Sequence, residues 1–232
     1  MNPQRTPADR LLEIFVPLME SEGYTYRKTH HRFIKRFQYG THEYSLTLDG
    51  RSGLVAVDAG FFVHFDALEK QFKKALGYAC PWSAGATLLN AGASPWNCFL
   101  FEDRFAGLQP TERSGIPSEV IHSQARLEAC VRFLLDAHTR HAMPLFRSLQ
   151  TVRQLADFLG DYIRKGCSGR CRPLPETAIY LWLLAAGALG DHLDEIVALA
   201  RGIRSGYVGH DVDSSVQAVI QYMASNNILQ KQ

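Results

Sequence analysis

RFIKRFQYGTHEYSLTLDGRSGLVAVDAGFFVHF, residues 32–65, alternates apolar and polar side chains over three stretches, Arg32 to Phe37, Glu43 to Leu48 and Leu54 to Phe65. Turn-forming segments, YGTH and DGRSG, separate them, so the pattern predicts a three-stranded antiparallel meander. Successive side chains of a strand point to opposite faces. Tyr44, Leu46 and Leu48 then form one set with Val55, Val57, Ala59, Phe61, Val63 and Phe65, and Phe33 and Phe37 share a face with Lys35. The opposite parity gathers Arg32, Arg36, Glu43, Ser45, Thr47, Asp58 and His64 into a mixed polar surface.

Helical signals flank the meander. Thr6-Pro7-Ala8-Asp9 carries a cap, a proline suited to the first helical position and a short acid for a capping box. Leu11, Phe15, Leu18 and Met19 follow on one face, with Pro17 expected to kink the helix and Gly23 to end it. Asp66-Ala67-Leu68-Glu69 reads as a second cap, before a short helix with Leu68, Phe72 and Leu76 on one side and Gly77 at its end.

Residues 77–117 show no period beyond a short strand in NCFLF, and they contain Trp82 and Trp96, either a core closure or an aromatic pocket. Past Pro117 the period becomes 3.6. A long helix is expected from Ser118 to about His141, ended by Pro144; another follows the Thr151-x-x-Gln154 cap to about Lys165, and three more come after it. Strands followed by helices define an α+β chain: an N-terminal antiparallel meander flanked by helices, then an all-helical half. The expected division is 1–110 for the α+β meander subdomain and 111–232 for the helical subdomain, joined as one continuous unit.

Composition narrows the function classes. At 232 residues and 46% hydrophobic content the chain can build a sizeable core. Lys/Arg and Asp/Glu balance at 12 against 11 in residues 1–110 and at 13 against 12 beyond, so neither half is the basic domain expected of a nucleic-acid binder. The longest apolar run, AIYLWLLAAGALG, has 13 residues, short of the roughly 20 needed to span a membrane. A polar start, MNPQRTPADR, offers no apolar h-region, and five irregularly spaced Cys make no disulfide framework. A reducing cytoplasm is the expected compartment.

The most basic stretch is YTYRKTHHRFIKRF, residues 24–37, with five Lys or Arg, two adjacent His and no acid. On a regular strand His30 and His31 would diverge and could not share a metal. Cys167 and Cys171 are separated by three residues in a basic loop, half of a zinc set that Cys80 and Cys98 would have to complete. His138 and His141 share a helical face, with His138 continuing the apolar stripe as a packed residue. No phosphate loop, dinucleotide fingerprint, G-x-S-x-G elbow or H-E-x-x-H motif occurs. No metal or cofactor is expected.

The segments LLEIFVPLMESEGYTYRKTHHRFIKRF and HEYSLTLDGRSGLVAVDAGFFVHFD resemble a group of uncharacterised bacterial domains over roughly residues 8–76. That group pairs an opening helix ending in Gly-aromatic, here Gly23-Tyr24, with a basic first strand and a helix-capped meander. Some of its members are similar to proteins found beside bacterial toxin genes. The resemblance implies an immunity or partner-binding role and carries no catalytic residues. The expected function is therefore non-catalytic protein binding through Arg32, Arg36, Glu43, Asp58 and His64, with a toxin as the partner. The alternative is an enzyme or small-ligand protein using the same polar face.

Overall fold

The structure, a computed structural model, describes residues 6–51, 54–80, 83–87, 99–101, 123–166, 174–203 and 211–229. Six strands form one sheet: β1 (Thr25–Arg27), β2 (Arg32–Phe37), β3 (Gly40–Arg51), β4 (Leu54–Phe65), β5 (Ala84–Thr87) and β6 (Phe99–Phe101). Their order is β1-β2-β3-β4-β5, with β6 also paired to β4. β1 runs antiparallel to β2 with Tyr26 opposite Phe33, and β6 antiparallel to β4 with Val55 opposite Leu100.

The meander is present, with β2 and β4 at their expected limits and β3 longer than Glu43–Leu48 at both ends. The first turn closes earlier than YGTH, at Gln38-Tyr39, and Gly40 already belongs to the strand. Only glycine fits there, because a Cβ would stand 1.8 Å from the His64 carbonyl oxygen. The N–H of Asp66 donates to the Tyr39 carbonyl at 3.2 Å, which holds the same corner. The pattern gave no sign of β1 or β5, since three or four residues are too few for alternation to register.

The helices are α1 (Pro7–Ser21), α2 (Asp66–Leu76), α3 (Ser123–Ala137), α4 (Met143–Ser148), α5 (Val152–Arg164), α6 (Pro175–Leu189), α7 (Asp194–Ala200) and α8 (Val212–Ser225). Of the three expected caps, Thr6 with Asp9 and Thr151 with Gln154 form capping boxes. Asp66 does not cap α2: Phe65 holds the capping position with no side-chain bond, and Asp66 is the first helical residue. Pro144 does not end the long helix either. A π-helical turn, His138–Ala142, widens the backbone, the N–H of Met143 donates to the His138 carbonyl, and the chain continues as α4. Pro144 falls in the first turn of that new helix, where a missing N–H is tolerated.

Two compact units divide the chain, and their boundaries do not follow the expected cut at residue 110. One comprises Met1–Lys35, Glu43–Phe61 and Thr87–Pro144; the other comprises Arg36–His42, Phe62–Ala86 and Leu145–Gln232. In the first unit α1 packs against α3, β1 and β6. Phe15, Phe33, Tyr44, Phe61 and Leu134 are buried there, with Phe15 edge-on to Phe33 at 5.3 Å. In the second unit α6 packs against α2, α5, α7 and α8, and α2 brings Phe72 to 6.1 Å from Tyr180. Residues 62–86 therefore group with the C-terminal helices, because α2 packs against α6 and α8.

Gly40→Ala should destabilise the second unit by about 3 kcal/mol or more, since the obstructing atoms are backbone and cannot rotate away. Urea unfolding followed by circular dichroism will read it as a lowered midpoint. An unchanged midpoint would show that the close approach at His64 is not a constraint.

Candidate functional site

Of the five residues expected on the polar face, Arg32 and Glu43 pair with each other and the other three take separate partners. In the first unit, Arg32 Nε lies 3.5 Å from Glu43 Oε1, and Asp58 Oδ1 accepts a hydrogen bond from the Ala59 N–H at 2.9 Å. Strand parity places Arg32 outside as expected, but Glu43 is only 7% exposed. Glu43 is thus a buried acid with an arginine beside it, not part of an open face. In the second unit, the exposed Arg36 reaches Asp66 at 3.7 Å, and His64 Nδ1 meets Glu69 Oε2 at 3.1 Å.

Glu69, expected as a capping acid, is a connector instead. Its other oxygen accepts from the Ser83 hydroxyl at 2.8 Å, and Ser83 Oγ accepts the Phe65 N–H at 3.0 Å. The Ser83 N–H returns to the Val63 carbonyl at 2.9 Å. Serine, carboxylate and histidine thus occur together but in an order without nucleophilic use. The hydroxyl points at the acid rather than at the imidazole, and Ser83 is fully buried. The cluster ties β4, α2 and the segment before β5 together.

The basic stretch is not one strand. Thr29–His31 forms a 3₁₀ turn in which His30 and His31 both have positive φ, 63° and 47°. The strand begins only at Arg32, so the expectation that the two His diverge across a strand is replaced by a turn that aims each separately. His31 Nδ1 meets the Tyr26 hydroxyl at 2.8 Å, while His30 is exposed. Burial lowers the His31 pKa, with Asp9 opposing and His30 and Lys28 adding to the shift. Lys35 turns to the Glu22 carbonyl at 2.7 Å and lies over the Tyr24 ring.

A second tyrosine–histidine pair occupies the core of the first unit. Tyr24 Oη and His138 Nε2 stand 2.9 Å apart, and the His138 ring is edge-on to both Tyr24 and Tyr44. Tyr44 donates its hydroxyl proton to the Leu134 carbonyl at 3.0 Å. Burial, with Glu22 adding, pushes the Tyr24 phenol well up, and burial lowers His138 despite Glu22. Tyr24 thus stays a phenol and His138 a neutral imidazole, each satisfied by the other inside the core, which explains why the histidine sits on the apolar stripe. Among the described residues no group of three metal-ligating side chains converges. Cys80 and Cys130 are buried, and Trp82, Trp96, Cys98, Cys167 and Cys171 lie outside the described residues.

The second unit holds a groove of about 230 Å³ between α5, α6 and the start of α7. Arg153 donates from both terminal nitrogens to Asp191, at 2.5 and 2.9 Å. Arg164 reaches Glu195 at 2.8 and 3.2 Å and lies 5.1 Å over the Trp182 ring. That hydrogen-bonded pairing holds Glu195 below the usual carboxylate range. Gly160 makes the stack possible, because a Cβ there would come within 2.8 Å of the Trp182 ring. Asp157 lies on the same wall. The sequence reading passed over this site, although Arg153, Asp157 and Arg164, at i, i+4 and i+11, already share one helical face.

Comparison with known proteins adds no relative: no family model matches the chain, and neither a curated protein nor a solved structure matches it. None of the described helices is long and apolar enough to cross a membrane.

The Tyr24–His138 pair fixes a pH response. Unfolded histidine takes up its proton near pH 6.5. In the fold the His138 pKa lies lower, so at acid pH the unfolded chain binds more protons and stability falls as pH drops below about 6.5. His31 contributes with the same sign. His138→Gln keeps a hydrogen-bonding partner for Tyr24 but cannot be protonated, so its urea stability should fall less than the wild type's between pH 7.5 and 5.5. Equal losses would remove His138 as a source.

Proposed function

We propose that this protein is a cytoplasmic bacterial protein that acts by binding another protein, without chemistry of its own. Its partner is a toxin that it neutralises. The observation that carries the reading is the disposition of the basic strand: Arg36 is 81% exposed at its side chain, and Arg32 is also outward. Exposed arginines on a rigid strand make good partner contacts, because a planar guanidinium pairs with a carboxylate through two hydrogen bonds. The choice of partner rests on the resemblance of residues 8–76 to a group of uncharacterised bacterial domains, some of whose members are similar to proteins found beside toxin genes. Balanced charge in both halves favours a protein over nucleic acid.

The alternative, an enzyme or ligand site built from Asp58, His64, Arg32 and Arg36, draws no support from the geometry. Each of these four side chains already has its own partner. Catalysis would need them converging on one reacting atom.

Geometry also selects the variants. Arg32→Glu would set a carboxylate against buried Glu43, a destabilising change. Arg32→Gln with Arg36→Glu removes the outward charge while sparing the fold, because the Arg36–Asp66 pair is exposed and such pairs contribute about 0–1 kcal/mol. Co-expression with the product of the adjacent gene should yield a stoichiometric complex and relieve growth arrest. The double variant should weaken that complex at least about tenfold, equivalent to about 1.4 kcal/mol, with an unchanged circular dichroism spectrum. Failure of the wild-type protein to form the complex sinks the function. A complex of undiminished affinity in the double variant sinks the assignment of the site.

A further inference from the structure

Antiparallel pairing of β1 with β2 sets Arg27 directly opposite Arg32. Opposed residues project from the same face of a sheet, so two guanidinium groups stand side by side, and like charges in that position destabilise a hairpin. The chain between them, Lys28-Thr29-His30-His31, contains no acid, and Arg27, Lys28, His30 and Arg32 are all exposed. Asp9, the acid that acts on His31, is held by the N–H and hydroxyl of Thr6. Glu43 is buried and leaves 46% of the Arg32 side chain exposed. No acid lies within ion-pair distance of Arg27 or Lys28 among the described residues.

The backbone of the same tip is also held at a cost. His30 and His31 both lie in the left-handed region, which residues other than glycine visit singly rather than in succession. Three contacts keep them there: the His31 N–H donates to the Lys28 carbonyl at 3.3 Å, His31 Nδ1 meets the Tyr26 hydroxyl at 2.8 Å, and the two rings are stacked. Tyr26 is itself packed on buried Phe33, 5.1 Å away. Charge repulsion and backbone strain thus fall in one six-residue segment, and neither serves the packing of the sheet. Costs of that kind persist at sites whose use requires them.

We propose that the tip of the β1–β2 hairpin, Arg27 to Arg32, binds an acidic segment of the partner protein, the carboxylates of neighbouring Asp or Glu side chains seating on Arg27, Lys28 and Arg32. The inference deepens the partner-binding reading, on which it rests for the partner being a protein, and names that partner's chemistry. Carboxylates remove the repulsion between the two arginines, and a planar guanidinium takes a carboxylate through two parallel hydrogen bonds. Nucleic acid suits the tip less, because residues 1–110 carry 12 Lys/Arg against 11 Asp/Glu, not the excess of a domain built for a phosphate backbone. The stiff turn lowers the ordering cost of binding.

A fluorescein-labelled peptide of alternating Glu and Gly is titrated with the full chain and followed by fluorescence anisotropy, beside a Gln-Gly peptide and an oligodeoxythymidine of equal length. The Glu peptide should bind saturably and more tightly than either control, with an affinity that falls as salt rises from about 50 to about 200 mM. Arg27→Gln with Lys28→Gln should weaken it at least about fivefold, and the melting temperature should hold or rise, because an opposed charge is gone. Lys73→Gln with Lys74→Gln, which removes two exposed cations of α2, should leave the affinity within about twofold. No saturable binding, an oligonucleotide bound as tightly, equal losses in the two double variants, or a lowered melting temperature in the first would each overturn the proposal. A wild-type chain that forms the co-expressed complex but ignores the Glu peptide would remove the tip and leave the protein-binding function standing.

Discussion

Helix α6 cannot face water on any side, and the second unit is arranged around that constraint. From Thr177 to Gly187 every residue is buried, and Ile179, Leu181, Leu183 and Leu184 have no exposed surface. A helix apolar around its whole circumference needs partners around its whole circumference. Four helices supply them: α2, α5, α7 and α8. Burial of each large aliphatic side chain contributes about 1.5–3 kcal/mol, so the exposed alternative is closed to this segment.

Three polar groups, His138, Tyr44 and His42, are placed where aromatic packing leaves a partner within reach. His138 is hydrogen-bonded to Tyr24 where the long helix widens, and Tyr44 finds the Leu134 carbonyl one turn earlier. In the second unit His42 is stacked between Phe37 and Phe146 at 4.6 and 4.5 Å, with Gln150 Nε2 at 3.2 Å from its Nε2. Unpaired, any of these groups would lose the free energy of a buried polar atom without a hydrogen bond. Paired, they specify how aromatic side chains stack. Serine, histidine and carboxylate side chains that suggest catalysis by type are thereby assigned to architecture by geometry.

Charges on the outside follow a different logic. Arg32 and Arg36 project from a strand whose alternation sets their direction, and Arg153, Asp157 and Arg164 project from one face of a helix whose other face lies against α6. In both cases the buried half of the element orients the exposed half. A rigid backing of this kind favours recognition, because less side-chain and loop freedom is lost on binding.

Periodicity determined the meander, both capping boxes and the buried nature of α6, since these depend on neighbours within a few residues. It also separated inward from outward side chains on β2, β3 and β4, with Glu43 as the exception. What depended on distant partners was not legible. Glu69 sits where a capping acid belongs, yet its bonds go to His64 and to Ser83, fourteen residues on. Pro144 reads as a helix end, yet the π turn before it lets the helix continue. The groove needed Asp191 and Glu195 to come from another element, 38 and 31 residues beyond the arginines they pair with. Sequence alone thus set which face each element buries, because that follows from local repeat. Tertiary structure alone decided which charged and polar groups meet, because those distances are fixed only when separate faces are buried together.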